Sequence, residues 1–226
     1  MAVSEPKLIT TYDLDDSGLV RSVTEQPTSD MDGTAGFDAP KAGLPRKWVY
    51  TYNPRGQLES EDGPRTDISD LTGYEYDLAT GNLQTVTNAV GQVTKYSNYD
   101  LLGRAGRIVA ANKVTIDLTY SPRGWVTSRT LTAQGKSLLT TYDYDGVGQL
   151  KKVTLPNRSY VKADYDDAHR LTDLSDNLGN TVHYTLDLAG NRKMEEVKDP
   201  AGVLTRLVTR EFDALNRLET QTGVVK

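Results

Sequence analysis

The sequence has 226 residues and a mass of 24.9 kDa, with 37% hydrophobic and 25% charged residues. It contains no Cys and only two His, which excludes disulfides, thiolate nucleophiles and metal sites built on Cys or on several His side chains. A formal net charge of -5 and a mean hydropathy of -0.54 argue against nucleic-acid-binding and anionic-membrane-binding proteins, because both need a concentrated basic surface.

The N-terminal residues 1–6 have neither a basic start nor an apolar stretch, so we expect no classical signal peptide. No segment approaches the roughly 20 consecutive apolar residues that cross a bilayer. The sequence therefore predicts a soluble chain without a membrane span.

A repeat on the pattern Tyr-x-Tyr-Asp-x-x-Gly-x-Leu recurs nine times, mostly in degenerate form. Counted from the Asp position, the copies begin at residues 15, 53, 77, 100, 121, 145, 166, 187 and 213. Seven of the eight spacings lie between 21 and 26 residues, and the first gap is 38 residues long and contains Gly, Asp and Pro. We therefore expect one repeat region over residues 1–226, with about nine hairpin repeats and a loop inserted near residues 27–45.

Each copy predicts a β-hairpin, because its centre has the composition of a type I turn. Residues 53–56 (Asn-Pro-Arg-Gly) and 121–124 (Ser-Pro-Arg-Gly) match the preferences of that turn, in which Gly adopts a positive φ and a bulge follows. Two copies place His169 and Asn216 in the Gly position, and both residue types tolerate the left-handed region. We expect His169 to serve the backbone rather than chemistry.

The turn also predicts the register of each hairpin, in which the residue before the Asp faces the residue five positions after it. The expected pairs are Leu14 with Val20, Tyr52 with Leu58, Tyr120 with Val126, Tyr144 with Leu150, Tyr165 with Leu171, and Phe212 with Leu218. Another apolar residue often follows with the opposite parity, as at Val23 and Val153. Either the second strand bulges there or the sheet has partners on both faces.

Weaker Gly-centred turns at residues 88–91, 176–179 and 199–202 lie between the main ones, so each repeat is predicted to contain two strands. About eighteen strands at about 4.8 Å each would extend a single sheet to roughly 85 Å, and open sheets of that width curl. The predicted fold class is all-β, with tandem antiparallel β-hairpin repeats in a curled sheet.

The repeats resemble the RHS/YD-repeat family over residues 12–218, most clearly at residues 74–83 and 179–192. The resemblance implies a spiralling strip of β-hairpins that closes into a hollow shell. In bacterial polymorphic toxins, including type VI secretion effectors and insecticidal toxin complexes, such shells enclose a C-terminal toxic domain, and the related teneurin shell serves in cell adhesion. Because 226 residues are too few to close a shell, we expect a fragment of a larger one.

The resemblance implies a structural, non-catalytic segment that encapsulates a toxin polypeptide for delivery, with no cofactor. The implied partners are the remaining shell segments, the enclosed toxin and secretion adaptor or spike proteins, and the implied location is outside the producing bacterium, through a secretion system. The alternative is a binding module whose Tyr-rich face recognises a carbohydrate or a cell-surface partner. An enzyme is a third hypothesis.

Several residues could carry chemistry, but each has a structural explanation. Residues 199–202 (Asp-Pro-Ala-Gly) resemble half of the family's paired self-cleavage motif, yet they form a single copy at an ordinary mid-repeat turn position. Residues 13–18 imitate the start of a calcium loop, but Thr24 stands where a bidentate Glu is needed. Residues 30–33 (Asp-Met-Asp-Gly) are a similar weak candidate. We therefore assign no catalytic or metal-binding residue and leave the binding residues unknown.

The remaining candidates are His183, Trp48 and Trp125. His183 lies beside a Tyr on a predicted strand and is interpreted as an ordinary face residue rather than a base. The two Trp side chains could stack on sugars, although the position of Trp125 directly after a turn is explained more simply by packing.

Overall fold

The computed structural model describes residues 7–225, so residues 1–6 and 226 of the predicted repeat region lie outside the described residues. Within residues 7–225 the chain has eighteen β-strands, one short 3-10 turn at Gly36–Asp38 and no α-helix. That range also contains no helix with the length and apolar character of a membrane span. The predicted all-β class is confirmed.

The chain forms two compact units, divided between Val114 and Thr115. In the first unit eight strands form an antiparallel meander in which each strand pairs with the next. The strands are β1 (Leu8–Leu14), β2 (Val20–Pro27), β3 (Arg46–Tyr52), β4 (Leu58–Asp62), β5 (Thr72–Tyr76), β6 (Leu83–Thr87), β7 (Val93–Ser97) and β8 (Arg107–Val109).

The second unit is a meander of ten strands with the same sequential antiparallel pairing. The strands are β9 (Thr115–Tyr120), β10 (Val126–Ala133), β11 (Lys136–Tyr144), β12 (Leu150–Thr154), β13 (Tyr160–Tyr165), β14 (Leu171–Asp176), β15 (Thr181–Leu186), β16 (Arg192–Lys198), β17 (Leu204–Phe212) and β18 (Leu218–Val225).

The hairpin register is the one that the turns predict. All six expected pairs are present, including Tyr52 with Leu58 and Tyr144 with Leu150. The second strand of the hairpin contains a bulge, which explains the opposite parity of Val153. Tyr144 faces Leu150 and Tyr142 faces Val153, so Lys151 is an extra residue on that strand. The bulge returns the later apolar residue to the face that carries the tyrosines.

The main turns have the expected geometry. In residues 53–57 the Gly56 amide donates to the Asn53 carbonyl at 2.9 Å, and the Asn53 amide donates to the Gln57 carbonyl at 2.9 Å. His169 and Asn216 adopt φ values of 63° and 59°, which confirms that they stand in for Gly. The backbone conformation explains both residues.

The interior is thin. Among the described side chains, only Ala39, Tyr184 and Val208 are buried apolar residues, with Val208 4% exposed and Tyr184 9% exposed. The chain exposes 15464 Å², whereas a compact globular monomer of its mass exposes roughly 10,000 Å². Cross-strand pairs on one face of each meander therefore replace a central core.

The segment between β2 and β3 is held by hydrogen bonds of its own. Thr28 is 1% exposed, and its hydroxyl donates to the Lys7 carbonyl at 2.8 Å. Asp30 accepts hydrogen bonds from the Gly33 and Ala35 amides at 2.9 and 3.0 Å. These contacts give the segment a fixed local conformation.

Candidate functional site

The aromatic face of each meander is the face that carries the residue before each turn Asp together with its cross-strand partner. Tyr52 with Leu58 and Tyr144 with Leu150 are examples in the first and second units. The opposite, polar face carries hydroxyl pairs such as Thr51 with Ser60, whose oxygens are 2.6 Å apart. The aromatic face is the candidate functional site, because it carries the tyrosines, which are thirteen of the seventeen aromatic residues of the sequence.

Tyrosine hydroxyls on this face link consecutive hairpins. Five of the described tyrosines donate to the carbonyl of the first residue of a strand in the preceding hairpin, at 2.7 to 3.0 Å. The bonds are Tyr52 to Val20, Tyr76 to Leu58, Tyr99 to Leu83, Tyr144 to Val126, and Tyr165 to Leu150.

These hydroxyl bonds lie where the ladder between hairpins ends. The pairing of β10 with β11 reaches Ser128 and stops two residues short of Val126, and that of β12 with β13 likewise reaches Lys152 and stops short of Leu150. The bulge residue lies in this gap, and a phenol from the next hairpin supplies a donor to the carbonyl that the ladder leaves unpaired. Phe cannot make this bond, which explains why Tyr stands at these five anchor positions.

The phenols remain donors at neutral pH. Burial raises the pKa of Tyr76, Tyr99 and Tyr144, because the charged phenolate is disfavoured away from water. Their protonated form is the one that the inter-hairpin bonds require.

The turn carboxylates are occupied by the chain's own hydrogen-bond donors. The Asp187 carboxylate accepts from the Asn191 side chain and from the Asn191 amide, both at 2.9 Å, and these bonds lower the pKa of Asp187. Asp166 is held by Arg170 in the same way, and its pKa is lowered by the Arg170 side chain and amide. An ionised carboxylate in this setting stabilises a turn and is a poor proton donor at neutral pH.

A second set of bonds joins consecutive turns along the edge of each meander. The Gln57 side chain donates to the Gly81 carbonyl at 2.8 Å, and the Gln149 side chain donates to the His169 carbonyl at 2.8 Å. The His169 ring nitrogen Nδ1 lies 3.0 Å from the Gln149 side-chain oxygen. His169 thus has a backbone role and also contacts the preceding turn.

His183 lies on the polar face, directly opposite Asp173. Its Nδ1 is 2.7 Å from a carboxylate oxygen of Asp173, and both side chains are about half exposed. Burial opposes ionisation of Asp173, but hydrogen bonds from His183 and Thr172 outweigh it and lower the pKa of Asp173. This geometry is that of a surface cross-strand pair, as the sequence predicts for His183.

The Asp-Pro-Ala-Gly segment at residues 199–202 forms an ordinary turn. The Asp199 carboxylate accepts from the Ala201 and Val203 amides at 3.0 and 2.9 Å. The calcium-loop candidate has the same geometry, since Asp15 accepts from the Ser17 and Leu19 amides at 2.8 and 2.9 Å.

Within residues 7–225 the acidic side chains and the two histidines form no group of three that could hold a metal ion. In the Asp30–Gly33 segment, Asp32 accepts from the Thr34 amide and hydroxyl, and these bonds lower the pKa of Asp32. The carboxylate is used by the loop itself.

The two Trp side chains have packing partners. Trp125 packs against Tyr144 with ring centroids 5.4 Å apart, and its ring covers Gly148 so closely that a Cβ there would lie 2.6 Å from it. Trp48 is half-buried, and the guanidinium of Arg46 lies 5.7 Å from its ring centroid. Packing therefore explains Trp125, as expected.

An arginine patch on the aromatic face of the second unit is not predicted from the sequence. It consists of Arg192, Arg206 and Arg210 around Glu195 and Tyr184. Glu195, whose side chain is 14% exposed, lies 3.1 Å from Arg206 and 3.6 Å from Arg210. The Arg192 guanidinium lies 4.2 Å from the Tyr184 ring centroid. The alternation of Arg206, Val208 and Arg210 along one strand is the signal that would have indicated it.

Several cavities adjoin these surfaces, and two of them bear on function. One of about 320 Å³ in the first unit is lined by residues that include Asp13, Arg21, Lys47, Tyr50 and Thr51. The other, of about 230 Å³ in the second unit, is lined mainly by apolar groups.

We call this apolar cavity the valine groove. Its walls include Val161, Leu174, Val182 and Val197. Val197 faces Arg206 across the sheet, so the groove adjoins the arginine patch.

Comparison with known proteins gives one family match and several structural matches. The sequence model of a family described as the teneurin YD-shell matches residues 44–194. No curated protein sequence matches the chain significantly.

Solved structures match almost the whole chain. A crystal structure of TcdB2-TccC3 without its hypervariable C-terminal region has a TM-score of 0.77 and 18% identity over 95% of this chain and 12% of that chain. A TcdB2-TccC3-Cdc42 crystal structure has a TM-score of 0.76 and 17% identity over 94% and 12%. A Photorhabdus luminescens Tc holotoxin pore has a TM-score of 0.70 and 16% identity over 98% and 14%. The chain therefore spans only 12 to 14% of the length of the chains whose fold it shares.

Proposed function

The chain belongs to the teneurin YD-shell family, and from this membership we propose that it is a non-catalytic wall segment of a larger YD-repeat shell that encloses a toxin polypeptide for delivery. The proposed repeat region comprises residues 1–226. Its partners are further repeats of the same wall and the enclosed polypeptide, with secretion adaptor or spike proteins at the point of export.

The observation that carries the proposal is how the polar groups of the repeats are used. Phenols such as that of Tyr144 and turn carboxylates such as that of Asp187 bond to the chain's own backbone. A wall needs this arrangement, because each hairpin must be fastened to the next without a central core. The structural likeness to Tc toxin components supports delivery of a toxin, in interbacterial competition or against insects.

The test uses the full-length product of the gene that encodes these residues. Trypsin is expected to leave a segment beyond the repeats uncut under native conditions and to cut it once urea has melted the sheet. The matched control is the same segment expressed without the repeats, which should be cut at once. A gene product with no segment beyond the repeats, or equal cleavage rates with and without the repeats, refutes enclosure.

A second candidate function is recognition of a carbohydrate or a cell-surface partner. It is favoured by the 320 Å³ cavity beside Asp13, Arg21 and Lys47, which brings charged groups together next to Thr51 on the polar face and falls in the size range of small-molecule sites. Binding on a glycan array that is lost in a Lys47→Ala variant supports this function. An array without signal, together with no capture of intact cells, contradicts it.

A further inference from the structure

We propose that the arginine patch and the adjoining valine groove form a docking site for an extended acidic peptide, in which a carboxylate side chain lies two residues from an aliphatic one. This site goes beyond the wall function, since it assigns a specific partner chemistry to one part of the aromatic face. It stands whether or not the wall encloses a polypeptide.

The charge of the patch is the first argument. The chain has a net charge of -5, yet here two arginines share one carboxylate and a third arginine lies over the neighbouring Tyr184 ring. Among the described residues, Glu195 is the carboxylate that pairs with them, through Arg206 and Arg210. Arg206 and Arg210 carry two positive charges and Glu195 one negative charge, so one positive charge remains. Arg192 adds a second. The patch therefore favours an anionic partner by charge complementarity.

Arg192 supplies the free donors. Its guanidinium stacks over the Tyr184 ring at 4.2 Å, and Tyr184 faces Glu195 across the sheet. A guanidinium held over an aromatic ring keeps N–H groups at its edge, where a carboxylate can accept two of them. The ring thus presents Arg192 ready for a bidentate contact.

The valine groove supplies the apolar half of the site. Val182 faces Val197, and Val197 faces Arg206, so apolar and cationic groups follow one another across adjacent strands. Val161 at the far end of the groove keeps 45% of its surface exposed. Strands lie about 4.8 Å apart, and alternate side chains of an extended peptide are about 6.6 Å apart. An aliphatic side chain at the Val197 end of the groove therefore places the carboxylate two residues away within reach of Arg206 on the next strand.

The probe is a fluorescein-labelled peptide of alternating Val and Glu, titrated with the 226-residue protein by fluorescence anisotropy. We expect binding that weakens at high salt and that exceeds binding of matched Val/Lys and Ser/Glu peptides. Equal binding of the Val/Lys peptide would show that charge does not select the partner. Equal binding of the Ser/Glu peptide would show that the groove contributes nothing. Either result overturns the proposal.

Variants assign the binding to the patch. Arg192→Gln breaks no ion pair with a residue in the described range 7–225. The Arg192→Gln/Arg206→Gln double variant is expected to bind the Val/Glu peptide at least about tenfold more weakly, equivalent to about 1.4 kcal/mol. Lys136→Gln removes the same charge at an exposed hairpin and is the matched control. Binding by a folded Arg192→Gln variant that equals the control refutes the site.

Glu195→Gln gives a test with the opposite sign. It removes the carboxylate that occupies Arg206 and Arg210, so the Val/Glu peptide should bind several-fold more tightly. Far-UV circular dichroism and thermal melting confirm that each variant is folded before titration. Unchanged or weaker binding by a folded Glu195→Gln protein contradicts the proposal.

Discussion

Replacing Tyr144 by Phe removes one inter-hairpin hydrogen bond and almost nothing else. The Tyr144 hydroxyl donates to the Val126 carbonyl at 2.9 Å in a part-buried site, where the ladder between β10 and β11 has already ended. A hydrogen bond of this kind contributes about 0.5–1.5 kcal/mol to stability. We therefore expect Tyr144→Phe to lower the free energy of unfolding by about 1 kcal/mol.

The assay is urea denaturation followed by far-UV circular dichroism, with thermal melting as a second measurement. For a unit of this size, 1 kcal/mol corresponds to a fall in Tm of roughly 3–6 °C. The control is Tyr142→Phe, on the same strand and the same face, because the Tyr142 hydroxyl makes no hydrogen bond to another described residue. If the two variants lose equal stability, the hydroxyl bond does not fasten the hairpins and the reasoning fails.

The remaining predictions concern turns, packing and edges. Folding depresses the pKa of Asp187, so the contribution of this carboxylate to stability is present above the unfolded pKa of about 3.9 and is lost as pH falls through the folded value. In urea titrations the Asp187→Asn variant should therefore lose less stability than the unsubstituted protein between pH 6 and pH 3. An equal loss in the two proteins contradicts this. Gly148→Ala, at φ +99° under Trp125, should cost about 2–4 kcal/mol, whereas Gly146→Ala, with open space around it, should change stability by less than about 1 kcal/mol. Finally, the outer edges of β1 and β18 have no pairing partner within residues 7–225, so the purified chain should self-associate; light scattering that shows a monomer at high concentration would refute this.

Much of the fold is predictable from local sequence. The type I turn at residues 53–56 fixes the pairing of Tyr52 with Leu58 without any knowledge of distant residues. His169 is predicted by the same argument, because a left-handed backbone position admits few residue types. These predictions succeed because the turn and the cross-strand pair that it aligns lie within one hairpin.

The candidate site was predictable only in part. The sequence indicates a Tyr-rich face, but it does not show that the Tyr144 hydroxyl reaches Val126 in the preceding hairpin, eighteen residues away. The sequence also does not show which face of the sheet carries Val153, because a bulge and a second partner sheet would give the same spacing of apolar residues. The arginine patch was missed because its members come from neighbouring strands, and their grouping depends on the register between hairpins.

The sequence by itself determines the hairpins of this protein, through turn residues whose backbone preferences act over five or six positions. Tertiary structure alone decides how one hairpin is fastened to the next, through the phenol bonds across the gap and the pairing of Glu195 with Arg206 and Arg210. The physical reason is range, since turn propensities are local, whereas a hydroxyl or a guanidinium finds its partner only after separate hairpins have been placed side by side.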